Sequence, residues 1–263
     1  MLRAFSTAAT GMAAQQLIVD VTANNLANIN TNGFKRSQVD FQDLIYVKLK
    51  EANRQEADGV QAPTGLEIGN GVRPASTTRV ATQGELQNTG RPLDVSIEGD
   101  GYFQVKMPGG ESRYTRDGSL RINGQGQLVT STGMLIEPAI TLGTDARSIS
   151  VGQDGTITVM TSGSDTPTTV GRLSLARFPN SAGLSAEGRN LYAATQASGE
   201  VETAYPGSGG TGMLQQGFLE KSNVQMVTEL VNLITAQRAY EVNSRAIKAG
   251  DQMLSTANRL LGG

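Results

Sequence analysis

The chain contains no cysteine, no histidine and no tryptophan. Without thiols it has neither a disulfide framework nor a thiolate metal site. Without imidazole, the remaining metal chemistry is carboxylate and carbonyl coordination of a hard ion such as calcium. Aromatics make up 5% of the chain against 32 glycines, a lean supply of large core side chains beside many turn-competent positions, which points to β structure with many hairpins. Neither sign of charge dominates: the formal net charge is −2, and no Lys/Arg cluster stands out to attract a phosphate backbone, so no nucleic-acid partner is expected. No apolar run approaches the roughly 18 residues of a membrane span, so the chain is expected not to cross a bilayer. Thr, Gln and Gly interrupt the N-terminal stretch MLRAFSTAATGMAAQQLIVD, unlike the apolar core of a cleavable secretory signal, and export would need another route.

What the chain does have is a helical pattern at each end. From the N-terminus, Leu2, Phe5, Ala9, Met12, Gln16, Val19, Ala23 and Leu26 recur at spacings of three and four, a heptad seam with one polar position. Only Arg3 and Asp20 are charged within residues 1–30, so the rest of that helix is poorly suited to water. The last forty residues repeat the pattern at Met226, Leu230, Leu233, Gln237, Tyr240, Ser244, Ile247, Asp251, Leu254, Asn258 and Leu261. Ser222 or Asn223 is placed to cap that second helix, and Gly262 and Gly263 end it. Between the helices the period falls to two, as in Leu93-Asp94-Val95-Ser96-Ile97 and Tyr102-Phe103-Gln104-Val105, and Asp-Gly or Asn-Gly pairs at 100, 117, 123 and 154 supply hairpin turns. The fold class is therefore α+β. Residues 1–32 with 222–263 form a terminal helical, coiled-coil assembly domain, 72–204 a central all-β domain, and 33–71 and 205–221 the connecting segments.

A search for chemistry yields little. Asp94, Glu98 and Asp100 cluster, as a two-carboxylate hydrolase would require, but alternation sets them opposite Val95 and Ile97, where a solvated strand face accounts for them. The glycine groups at 69–71 and 99–101 lack the continuation of a phosphate loop, and SGSDTPTT at 162–169 offers one carboxylate, too few for calcium. No catalytic residue, metal or cofactor is assigned. The heptad helices are more informative. Paired only with each other they would leave uncharged outer faces in water, which favours burial between molecules. In NNLANINTNGFK at 24–35, Asn32-Gly33 reads as a left-handed helix end. Asn24, Asn25 and Asn28, mediocre helix formers whose amides both donate and accept, read as contacts to neighbouring subunits. The expected assembly face is thus Leu2, Phe5, Met12, Val19, Asn24, Asn25, Leu26 and Asn28 with Met226, Leu230, Leu233, Gln237, Tyr240, Ile247, Leu254 and Leu261.

NNLANINTNGFK resembles the N-terminal signature of the axial proteins of the bacterial flagellum, the rod and hook subunits. SNVQMVTELVNLITAQRAYEVNSRAIKAGDQML at 222–254 resembles their C-terminal one, and LDVSIEGDGYFQV at 93–105 with YTRDGSL at 114–120 their shared β domain. The resemblance covers essentially the whole chain. Within the family it is nearest to the distal-rod class, because a β domain is present, the further outer domain of a hook protein is absent, and residues 46–71 stand where a distal-rod insert occurs. A proximal rod subunit or a hook protein is the alternative inside the family, and a secreted glycan-binding or hydrolytic β domain the alternative outside it. The resemblance implies a non-enzymatic structural subunit, exported uncleaved by the flagellar type III apparatus, that assembles with its own copies into a helical filament and transmits torque. Its implied partners are proximal rod proteins, the hook protein, and the peptidoglycan and outer-membrane ring proteins.

Overall fold

The computed structural model describes residues 2–50, 64–143, 146–161 and 166–261. It contains one helix near each end, α1 (Leu2–Ala27) and α2 (Met226–Leu261), with short strands between them. The chain divides into two compact units. Unit 1 comprises residues 1–26, 37–78 and 225–263, and unit 2 comprises 27–36 and 79–224. Segments 27–36 and 79–224 therefore belong to the β unit, and part of the stretch expected to connect the two, residues 37–50 and 66–68, carries strands of unit 1, as do residues 72–78, expected in the β domain.

Unit 2 is built on a nine-stranded antiparallel sheet with Tyr102–Lys106 near its middle. That strand pairs with Ser112–Thr115, Leu135–Glu137 and Leu175–Arg177 along its length. Alternation sends Phe103 and Val105 into an apolar core with Val95, Ile97, Leu128, Ile136, Leu173 and Leu214, all almost fully buried. Tyr102 turns the other way, into a second cluster with Tyr114, Ala176, Phe178, Leu184 and Tyr192. Its rings meet edge to face at centroid distances of 4.7 to 6.0 Å. A three-stranded sheet, Ala146–Val151, Thr156–Thr161 and Thr168–Arg172, adds Val151, Ile157 and Val159 to the core.

The carboxylate group divides in a way that alternation did not anticipate. Glu98 and Asp100 are exposed, but Asp94 is buried, its Oδ2 accepting from Arg91 Nε at 2.8 Å and from Thr89 Oγ1. The strand Val95–Glu98 pairs with Met213–Gln216 and has cover on both faces, so the polar side of the alternation does not meet solvent there.

In unit 1, Ser37–Asp43 pairs with Val72–Arg79, and Val47–Lys50 pairs with Leu66–Ile68 as a small ribbon. Residues 51–63 of the 46–71 insert lie outside the described residues. α1 stops at Ala27, earlier than the asparagine run suggested. Asn28, Asn30 and Asn32 belong to the turn that follows, where Thr31 Oγ1 donates to Asn28 Oδ1 at 3.1 Å. Gly33 takes φ +68° there, and a Cβ on it would stand 2.8 Å from the Arg116 backbone. α2 begins at Met226, with Gln225 O accepting from Glu229 N. Neither Ser222 nor Asn223 caps it: the Ser222 hydroxyl accepts from Val224 N, ahead of the helix, and the Asn223 side chain is bonded within unit 2.

Candidate assembly interface

Within unit 1 the two helices run antiparallel, touching at three levels. A Cβ on Gly250 would meet the Phe5 ring at 2.8 Å, a Cβ on Gly11 would meet Asn243 Nδ2 at 2.9 Å, and Asn25 Nδ2 donates to Glu229 Oε2 at 3.4 Å. The stripe that does this work differs from the expected one. In α1 the buried side chains are Ala8, Ala14, Thr22 and Asn25, while Phe5, Met12, Val19 and Leu26 are half-buried and Asn24 is exposed. In α2 Glu229, Ala236 and Gly250 are buried, about two turns apart or multiples of it. Leu233, Ile247 and Leu254 are half-buried beside them, and Met226, Leu230, Gln237 and Tyr240 are exposed. Small residues hold the seam because they let the backbones approach, and the larger side chains flank it or face away. The side chains of Leu2 and Leu261 lie outside the described set.

Among the expected contact residues, Asn25 has partners within its own unit: Oδ1 accepts from Ser37 N and Nδ2 donates to Ser37 O, both at 2.9 Å. It thereby ties the end of α1 to the first strand. Asn28 lies beyond the helix, so it is on no helical seam.

The outer side of α2 is the unusual surface. Val227, Val231, Ile234 and Val242 are each more than half exposed, and Leu230 is 40% exposed. At 100° per residue they gather on the side opposite Glu229, Ala236 and Asn243. Further along the helix the same side carries Arg238, Glu241 and Arg245, linked by ion pairs, so the apolar patch lies mainly on the N-terminal part of α2.

Unit 2 contains a second site that the sequence reading missed. Glu220, at the end of the strand Phe218–Glu220, is buried between two cations. Its Oε1 accepts from Lys35 Nζ at 2.6 Å and from Gly84 N at 2.9 Å, and its Oε2 accepts from Arg116 Nε. Arg116 spends its other donors on the carbonyls of Ile97, Gly99 and Gly101. Burial alone would raise the Glu220 carboxyl, but Arg116 and then Lys35 outweigh it and hold the group below the usual carboxylate range. Lys35 is pushed below its ordinary value because burial exceeds the pull of Glu220, and Arg116 adds repulsion. Next to this triad, Asn223 Oδ1 accepts from Arg36 N, and its Nδ2 donates to Val80 O and Thr82 O. Glu220 and Asn223 together bind segments 33–36, 80–84 and 218–224, all stretches at which the chain enters or leaves unit 2. This is a structural junction in which every polar group has a partner. Among the described residues no group of three His, Cys, Asp or Glu side chains could hold a metal ion, and no helix is long and apolar enough to cross a membrane.

Comparison with known proteins matches these same regions. Residues 5–35 match the family described as flagella basal body rod protein, 96–159 the flagellar hook protein FlgE/F/G D1 domain, and 215–260 the flagellar basal body rod FlgEFG protein C-terminal region. Over 99% of its length the chain is 48% identical to the whole of the flagellar basal-body rod protein FlgG of Buchnera aphidicola. It is 47% identical to that of Caulobacter vibrioides, covering 98% of this chain and 99% of the relative. To that of Bacillus subtilis it is 36% identical, covering 97% of each.

Proposed function

The chain belongs to the flagellar basal-body rod family, as a structural subunit of that rod, and from that premise we propose that it builds the distal segment, a helical tube that carries torque from motor to hook. The observation that carries this reading is the exposed apolar patch on the outer side of α2 near its N-terminal end. One side of the helix is used by α1, and the other, Val227, Leu230, Val231 and Ile234, is left for copies of the same chain. Such contacts are heterologous, so successive copies extend a filament and need not close on themselves. Side chains that gain burial only at the growing end couple ordering to assembly. Of the exposed members of the expected interface, Leu230 falls on this outer face, while Gln237 and Tyr240 line a groove with Gln16 and Val19 of α1.

In this reading the chain makes and breaks no covalent bond. It reaches the periplasm through the flagellar type III apparatus without a cleaved leader. It meets proximal rod proteins below, the hook protein above and the peptidoglycan and outer-membrane ring proteins around it. Residues 46–71, of which the ribbon Val47–Lys50 with Leu66–Ile68 is described, are the distal-rod insert that stiffens the shaft.

Electron cryotomography of cells deleted for the gene tests the position. A short proximal rod without distal rod or hook is the expected image, a complete rod lacking only the hook would reassign the subunit to the hook, and normal flagella would refute the proposal. Leu230→Asp tests the surface. It should abolish incorporation and motility while the purified chain keeps its amide-exchange protection in both units, because a charge is excluded from an assembled apolar contact yet tolerated at an exposed position. Normal motility in that variant would remove the outer face of α2 from the interface.

A further inference from the structure

We propose that a groove beside Tyr205 on unit 2 is a saccharide-binding site, taking a neutral pyranose by ring stacking and hydroxyl hydrogen bonds. The groove holds about 470 Å³, and its polar walls are Gln104, Glu137, Ser174, Thr203, Tyr205 and Ser208, a volume and mixture typical of small-molecule sites. Tyr205 is half exposed, yet its ring is fixed. Arg172 lies over it with the guanidinium carbon 4.1 Å from the ring centroid. Arg172 is itself tethered, donating from Nε to Asp154 O at 2.9 Å. Arg172 is not part of the groove wall, so it braces the ring without filling the groove. The Tyr205 backbone is held as well, its carbonyl accepting from the hydroxyls of Ser208 at 2.7 Å and Thr211 at 2.9 Å. An aromatic ring whose orientation is set in advance loses little entropy when a ligand stacks on it.

The polar walls are set with similar care. Gln104 and Glu137 stand opposite each other on paired strands, and Gln104 Nε2 donates to Glu137 Oε2 at 2.7 Å and to Ser112 Oγ at 3.1 Å. This arrangement leaves Oε1 of each as an acceptor, with the hydroxyls of Ser174 and Thr203 across the groove. A carboxylate and no cation among the walls disfavours phosphates and other anions. Several fixed acceptors and hydroxyls beside one aromatic ring match a ligand with many hydroxyl donors and an apolar ring face, which is the chemistry of a sugar. The site belongs to unit 2 alone and stands apart from the rod assignment.

The test is a titration of the full-length ¹⁵N-labelled chain followed by amide shifts. The probes are chitotetraose, cellotetraose and free N-acetylglucosamine. Saturable shifts should gather at Gln104, Ser174, Thr203 and Tyr205 with at least one of them. Tyr205→Ala should weaken binding by at least about tenfold, while Tyr205→Phe, which keeps the ring, binds nearly as the natural chain does. Thr203→Val removes one hydroxyl, leaves the ring in place and should weaken binding severalfold, so the proposal stays testable even if Tyr205→Ala fails to fold. Tighter binding of a tetramer than of the monosaccharide would identify a polymer as the source, and equal binding a single sugar. The proposal is overturned by the absence of shifts with all three sugars, by shifts indifferent to Tyr205→Ala, or by sugar-independent broadening of these residues with protein concentration, which would make the groove a contact between copies.

Discussion

In unit 2 the fully buried side chains are large: Phe103, Ile97, Leu128, Ile136 and Leu175. In unit 1 the buried helical residues are Ala8, Ala14, Thr22, Asn25, Glu229, Ala236 and Gly250, while valines, a leucine and an isoleucine of α2 face outward. A core of the first kind stabilises itself, because each large apolar side chain contributes about 1.5–3 kcal/mol on burial. A seam of alanines offers far less and mainly sets how closely two helices approach. The contrast is one of packing: in unit 2 large apolar side chains bury one another, and in unit 1 the helices meet through small residues while larger apolar side chains of α2 lie at the surface.

The largest effect should come from the core of unit 2. Phe103→Ala removes a ring with no solvent exposure from the middle of the nine-stranded sheet and should cost about 3–5 kcal/mol, read from the urea midpoint of the tyrosine signal. A loss below about 1 kcal/mol would mean that unit 2 is not the self-sufficient partner in this comparison.

The junction comes next. Glu220→Gln leaves Lys35 and Arg116 buried without a carboxylate and should destabilise unit 2 by about 3 kcal/mol at neutral pH. The pH dependence has a fixed sign. A carboxyl held below its unfolded value, about 4.3, stabilises the fold above that value and loses the contribution as pH falls through its lower folded value. The gap between the natural chain and Glu220→Gln should therefore close as pH is lowered below about 4.3. A gap that stays constant to pH 3 would show that the carboxylate's charge is not what holds the junction.

How much of this was legible depends on where the partners of each residue lie. The strand at 102–106 could be read from alternation alone, since Phe103 and Val105 bury together, and both helices followed from three- and four-residue spacing. Hydrophobic size drew attention to Met226, Leu230 and Tyr240 and away from the positions at which α1 and α2 meet. Close approach instead selects Gly11, Ala236 and Gly250, whose small size gives a weak signal in any scale of apolarity. Asn25 was noticed, but its use of Ser37 could not be seen without the turn that brings the strand back. The junction was invisible for a simpler reason: Lys35 and Glu220 are separated by 185 positions. The available hint was a charged residue within one or two positions of a phenylalanine at both places, Phe34-Lys35 and Phe218-Leu219-Glu220. Asp94 fell on the polar side of a correct alternation, yet a strand covered on both faces has no solvent side.

The smallest expected effect has the opposite sign and sharpens the contrast from within unit 2. Strands Ser185–Gly188 and Leu191–Ala193 are joined by Arg189 and Asn190, both left-handed at φ +54° and +60°. A two-residue hairpin with two positive φ values favours Gly, which has no Cβ to crowd the neighbouring carbonyl, and Asn or Asp, whose short polar side chains offset that crowding by local hydrogen bonds. Asn190 satisfies that preference and uses it, since its Nδ2 donates to Asn32 O at 3.3 Å. Arg189 does not, and it is exposed. Arg189→Asn should therefore stabilise unit 2 by roughly 0.5 kcal/mol, measured as a paired shift in urea midpoint at unchanged slope. A loss of stability would mean that the guanidinium contributes more to the fold than its backbone conformation costs, and the turn would then join the junction as a place where unit 2 holds a charged side chain for a structural purpose.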